Sequence, residues 1–338
     1  MRIHYTTTVW HAGFYRYFIN ALTSLGHEVR FFDESGTKAQ ITLKYITTRL
    51  PGYLYKGENI FRASIGRDWL KSIKEFKPDL IIIQHSPNLI PDAVREAKNM
   101  GYKIFYWEDA QPANAQGKDV LASLEYVDKL FSVDREWMTI LYNQSDFIHL
   151  PLAGEPSVFK PLPGVEKEYD VVFVGSFAPM DGDGYLRAKL VSNVPDKFKV
   201  KVFGNGLDYW VKYLPNLRNR SGGDVILNEN VLNEIYNKSR IVLNIHAVGH
   251  ESSLSARTYE IGLSGAFQLV DWRGDADIVF PPGMLVTFKH ASDINGLIEK
   301  WLADPDGASR KAEEIRQYIL VNHTWRHRAE KMLSYYKK

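Results

Sequence analysis

Arg257 and Glu260 stand one helical turn apart in the run Ser252-Ser253-Leu254-Ser255-Ala256-Arg257-Thr258-Tyr259-Glu260. Serines at a helix start leave backbone N–H groups pointing outward, which makes an anion site. Arg257 in the first turn has the forked donors that fit a diphosphate. Glu260 falls on the same side of the helix and can accept from two adjacent hydroxyls, as on a ribose. The same spacing also suits a surface helix with an ordinary Arg–Glu pair. His246, Ser253 and Ser255 flank this turn and complete the candidate group there.

Two glycine turns upstream offer the same kind of chemistry. An apolar run over residues 170–174 ends in Gly175-Ser176-Phe177, and another over 199–203 ends in Gly204-Asn205-Gly206. A strand that ends in glycine lets the backbone approach a phosphate closely. Position 209 is Tyr209, so the second turn is not a dinucleotide fingerprint. In the first half, His11, His85 and Asp109 each follow an apolar run. Such positions suit a general base on an acceptor hydroxyl, and they equally suit structural hydrogen bonding.

Other chemistries are excluded or disfavoured. The chain has no cysteine, which rules out disulfides, thiolate metal sites and cysteine nucleophiles. His246, His250 and Glu251 have a metal-like spacing, but Gly249 interrupts any helix there, so no metal is expected. Asp181-Gly182-Asp183-Gly184 opens like a calcium loop but lacks the later ligands, and reads as a mobile loop. A formal charge of +2 gives no general pull toward nucleic acid. No signal-like start and no membrane-length apolar run is present, so a cytoplasmic, soluble chain is expected.

The elements that must hold these residues alternate. Apolar runs near 2–6, 28–32, 80–84, 103–107, 129–133 and 147–150 are separated by amphipathic stretches at 14–25, 63–76, 91–100 and 136–143. A segment rich in proline and charge, 155–170, interrupts the pattern, which then restarts with strands near 170, 199, 240, 267 and 285. The 338 residues suit two α/β domains. The expectation is two Rossmann-like domains, 1–155 and 165–322, facing across a cleft, with a final helix, 323–338, able to pack back on the first.

Several segments together resemble the group-1 glycosyltransferases of the GT-B fold, and more closely their spore-maturation CgeB-like branch. They are Val172-Phe173-Val174-Gly175-Ser176, the run from Ile235 to Asn244, Arg257-Thr258-Tyr259-Glu260, Gly265 to Asp271, and His323 to Arg328. The resemblance implies that Glu260 holds a donor ribose, that Gly175-Ser176 lies by the diphosphate, and that the loop after residue 203 lines the base. It implies transfer from a nucleotide sugar, a uridine diphosphate sugar by preference, with a lean toward retention; the lack of any convincing ligand spacing adds the expectation that the transfer is metal-independent. The nucleotide sugar is a co-substrate, and no cofactor is expected. The acceptor, whether glycan, protein or small molecule, stays open. Group-1 enzymes often carry Glu-x7-Glu; its first Glu would fall on Ser252, which leaves the sugar open as well. An epimerase or hydrolase on the same fold, or a non-catalytic nucleotide- or sugar-binding protein, are the alternatives.

Overall fold

The computed structural model describes residues 1–9, 13–48, 54–86, 88–109, 117–141, 143–179, 182–224, 228–247 and 249–336. The chain divides into two compact units, one of residues 1–150 with 328–338, the other of residues 151–327.

In the first unit the strands are β1 (Arg2–Thr7), β2 (Glu28–Asp33), β3 (Leu80–Gln84), β4 (Lys103–Glu108), β5 (Lys129–Ser132) and β6 (Ile148–His149). They form one parallel sheet in the order β2-β1-β3-β4-β5-β6. The helices are α1 (Phe14–Ser24), α2 (Lys38–Thr48), α3 (Leu54–Phe76), α4 (Pro91–Asn99) and α5 (Gly117–Leu124), with a π-turn at Trp137–Leu141. β3 is buried along its whole length because helices cover both faces of a parallel sheet. Trp69, Ile81, Ile83, Ile104 and Tyr106 sit in one of its cores. Burying such side chains is worth roughly 1.5–3 kcal/mol each.

The second unit repeats the plan. Its strands are β7 (Tyr169–Val174), β8 (Val200–Phe203), β9 (Ser239–Asn244), β10 (Gln268–Asp271) and β11 (Val286–Phe288). They are all parallel, in the order β11-β10-β9-β7-β8. Its helices are α6 (Gly182–Ser192), α7 (Leu207–Val211), α8 (Glu229–Asn237), α9 (Ala256–Leu263), α10 (Ala276–Val279), α11 (Asp293–Ala303) and α12 (Pro305–Asn322). The two α/β units were expected, but their division differs from the expected one. Residues 151–165 belong wholly to the second unit, where Lys160 and Leu162 donate backbone N–H groups to Asn233 and Asn237 of α8. The 182–184 segment, expected as loop, is instead the first turn of α6.

The last helix, α13 (Trp325–Leu333), begins in the second unit and ends in the first. At its start, Trp325 N–H donates to the Gly154 carbonyl and Gly154 N–H to that of His323. A Cβ on Gly154 would meet the end of the Leu263 side chain of α9, which would have to shift to admit one. In the first unit, Lys331 Nζ donates to the His149 carbonyl at 2.9 Å, and Tyr335 packs edge-on against Phe131 of β5. Residues 328–338 group with the first unit. Among the described residues, no helix is long and apolar enough to cross a membrane.

Candidate functional site

In the second sheet the strand order reverses between β7 and β9, and ligands of open α/β sheets bind beyond the carboxyl ends of strands at such a point. Gly175-Ser176 leaves β7 there and Ile245-His246 leaves β9. One side chain spans the two exits: Arg187 of α6 donates from Nη1 to the Ser176 carbonyl at 3.1 Å and from Nη2 to the Ile245 carbonyl at 3.4 Å. A cation thus stands between the two turns. It lies eleven residues beyond Ser176 on the following helix, so nothing in local spacing flags it.

The loop into α9 is held from below. The His246 ring nitrogen Nδ1 and its backbone N–H both meet Asp271 Oδ1, at 2.5 and 2.8 Å. Arg273 joins Asp271 to the loop, donating to Asp271 Oδ2 at 2.8 Å and to the His250 carbonyl at 2.7 Å. Burial pushes the Asp271 carboxyl up, but the His246 bonds and the Arg273 charge outweigh it and hold the group below its ordinary range. Asn244 donates to Thr258 Oγ1 and Gln268 Oε1, and Gln268 donates to the Thr258 carbonyl, which pins α9 to the sheet. Buried polar groups satisfied in this way fix a single geometry.

On that platform, α9 starts at Ser255 with no side-chain cap, so its first N–H groups are left to other partners. Arg257 and Glu260 are both partly buried. Arg257 Nη1 donates to the Tyr236 phenol at 2.8 Å. The Glu260 carboxyl takes no hydrogen bond or ion pair from a described residue. Burial raises its pKa, and the nearby Arg257 charge opposes the rise without cancelling it. Burial likewise pushes the Tyr236 phenol up to about 12.

The other expected donor residues divide. Gly175, Ser176 and Asn205 stand at the turns, and Asn205 is exposed. Phe177 is fully buried, and its backbone serves: its N–H donates to the Asn205 carbonyl and its carbonyl accepts from Trp210 Nε1. Gly206 has φ of +78°, and a Cβ there would lie 2.8 Å from the Phe177 carbonyl oxygen, so the second glycine turn locks onto the first. Gly204 is buried and donates to the Gly223 carbonyl. His246 and Ser253 are only 2% exposed, Ser253 meeting His250 Nδ1 at 2.8 Å. Both support the loop from beneath. Ser252, where a family glutamate would fall, is fully buried and accepts at its carbonyl from Asp275 N–H.

In the first sheet the order reverses at β1. The strand exits there gather Glu34, His85, Glu108 and Asp109, the last three with ligand atoms within 4.8 Å of one another. No sequence spacing announces this, because the residues come from separate strands aligned by sheet register. The group has the proximity a metal ion needs, yet His85 Nδ1 already meets Glu108 Oε1 at 2.5 Å. His85 has φ of +29°, a left-handed conformation that side chains seldom adopt. Burial alone would lower the His85 pKa, but Glu108, Asp109 and Glu34 override it and push it up to about 9. Burial raises Asp109 to about 6 and Glu34 to about 7. Asp109 Oδ2 accepts from Gln84, whose amide oxygen accepts from Tyr5, while Asp109 Oδ1 has no partner among the described residues. His11 lies outside the described residues.

Residues 187–334 match a family profile described as glycosyl transferase-like. Against the curated proteins the sequence finds no match. Among solved structures, sucrose-phosphate synthase from Thermosynechococcus elongatus aligns with a TM-score of 0.71 at 12% identity, over 100% of this chain and 98% of that one. A glycosyltransferase from Rickettsia africae aligns at 0.68 and 13%, over 99% and 97%. HepE of Anabaena, solved in complex with UDP-glucose, aligns at 0.67 and 13%, over 99% and 100%. At such identities the likeness is one of fold. A glycosyl transferase-like domain thus spans most of the second unit, and the whole chain has the GT-B fold of the glycosyltransferase structures that it aligns with, which together support a glycosyltransferase.

Proposed function

We propose that this enzyme moves a sugar from a uridine diphosphate sugar to an acceptor hydroxyl, with the donor on the second unit and no metal required. The observation that carries the reading is the Glu260 carboxylate, partly open and unspent, one turn beyond an arginine held in place by Tyr236. A ribose diol would supply the two donors that such a carboxylate lacks. HepE, a structural neighbour, binds UDP and UDP-glucose, which supports the choice of nucleotide.

In transfer, the bond from the sugar's anomeric carbon to the phosphate oxygen breaks and a bond to the acceptor oxygen forms. Arg257, the open N–H groups of α9 and the Gly175-Ser176 turn would stabilise the charge that gathers on the leaving diphosphate. We favour retention. With its pKa near 9, His85 is a cation at neutral pH, so it acts as a charge or an acid and not as a base. The acceptor proton then passes to the leaving phosphate oxygen. A second reading, inversion, has its own observation: Asp109, raised to about 6, is well matched to take a proton from an acceptor.

Thermal shifts test the donor assignment. A uridine diphosphate sugar should raise the melting temperature more than an adenine dinucleotide does, since ligand bound only to the folded state stabilises it. Equal or reversed shifts would refute it. The anomeric proton of the product decides between retention and inversion.

A further inference from the structure

The second unit holds another pocket, on the side of the sheet away from the donor residues. A cavity of about 100 Å³ is lined by Lys167, Arg240 and Phe267, together with Trp301, Leu302 and Pro305 from the α11–α12 corner. Arg240 is the second residue of β9, Phe267 directly precedes β10, and Lys167 precedes β7. The cavity therefore sits at the amino ends of the strands, whereas Gly175 and His246 leave their carboxyl ends.

Its polar groups are only partly used. Lys167 Nζ donates to the Asn237 carbonyl at 2.8 Å. Arg240 Nε lies 3.4 Å from Asp170, and its two terminal nitrogens have no partner among the described residues. The Trp301 indole N–H is covered and donates to nothing described. Ser309, also in the lining, is exposed, and its hydroxyl is likewise unspent. The described lining carries two cations, Lys167 and Arg240, and no carboxylate, so it is positively charged. Burial lowers the Lys167 pKa and the Arg240 charge lowers it further, as expected of a pair awaiting an anion. The remaining wall is apolar: Phe267 packs on Trp301 with ring centres 4.6 Å apart, and Leu302 and Pro305 close the side.

We propose that this cavity binds a small carboxylate with an apolar body. The carboxylate pairs with the free fork of Arg240, in the geometry that suits guanidinium and carboxylate best. The apolar body lies against Phe267 and Leu302, over the Trp301 ring that packs on Phe267. At about 100 Å³ the cavity has room for a short branched or cyclic acid. Gly265, which ends α9 at φ of +70°, is part of the wall, so the occupant touches the far end of the helix that bears Arg257 and Glu260.

The test uses the full chain labelled with nitrogen-15. The Trp301 indole resonance, assigned through Trp301→Phe, is followed during titration with isobutyrate, with isobutyramide as the uncharged isostere and with inorganic phosphate. The expected result is a saturable shift with isobutyrate alone. Affinity should fall by at least about tenfold in Arg240→Gln, whose melting temperature stays that of the parent. No saturable shift, an equal shift with isobutyramide, a phosphate shift as large as that of isobutyrate, or unaltered affinity in Arg240→Gln would each overturn the proposal. None of these outcomes depends on the donor or on transfer.

Discussion

Arg257 is bonded to the phenol of Tyr236 on α8, at 2.8 Å, and not to Glu260 one turn along its own helix. Spacing alone allowed an Arg–Glu pair that would have neutralised both groups. The structure divides them: the arginine is positioned by a neighbouring helix, and the carboxylate is kept without a partner, its pKa raised by burial. Keeping a carboxylate in that state is unfavourable for the fold, which fits a group reserved for a ligand.

Glu260→Gln should therefore weaken binding of a uridine diphosphate sugar by at least about tenfold, since each charge-assisted hydrogen bond is worth roughly 1.5–3 kcal/mol. The melting temperature should hold or rise, because a poorly solvated charge is removed. Calorimetric titration and a melt give both values. A 2′-deoxyribose donor should narrow the gap between variant and parent. Normal binding with a much lower melting temperature would mean that Glu260 is structural.

Tyr236→Phe leaves the ring packed against Phe159 but removes the oxygen that receives Arg257. Loss of a bond to a charged group should cost about 1–2 kcal/mol in stability. Freed, Arg257 can swing toward Glu260, and donor affinity should fall roughly threefold to tenfold, about 0.6–1.4 kcal/mol. Affinity equal to that of the parent would show that Arg257 is not held for the donor.

Chelation should leave donor binding and transfer unchanged, because in the proposed reading Arg257 and the N–H groups of α9 serve the diphosphate. Assays before and after EDTA and dialysis check this. Activity lost on chelation and restored by magnesium or manganese would contradict it, and would turn attention to His85, Glu108 and Asp109.

Asp109 should leave a mark on stability against pH. Its carboxyl is raised from 3.8 to about 6 in the folded state, so the fold binds its proton more tightly than the unfolded chain does. That contribution is fully present below about pH 4 and is lost as pH rises to about 6, amounting to about 3 kcal/mol. Asp109→Asn should remove this part of the slope. Denaturant melts of parent and variant at pH 4, 5, 6 and 7 should diverge with rising pH, the variant becoming relatively more stable. Parallel curves would show that Asp109 titrates normally.

The sheets were legible because strands buried on both faces read as unbroken apolar runs, and the observed strands from β7 to β11 begin within a residue of those expected. α2, whose exposed Ile41, Tyr45 and Ile46 blur its polar face, gave no clear helical period and went unseen. At the site, Arg257 and Glu260 were visible because a helix relates them locally. Arg187, Tyr236 and Glu34 were not, because register and helix packing bring them in from distant parts of the chain. Ser253 and His246 looked like ligand contacts because sequence shows polarity but not depth, and both lie beneath the loop.

The route of α13 bears on how the chain folds during synthesis. Residues 151–327 form one uninterrupted stretch, so the second unit can complete itself as soon as that stretch has left the ribosome. The first unit cannot. Its sheet is made before the second unit, but Lys331, Tyr335 and Tyr336, which cover His149, Phe131 and Lys103, emerge after it. The first unit is thus closed only after the second is made, and until then the β5–β6 side of its sheet stands uncovered.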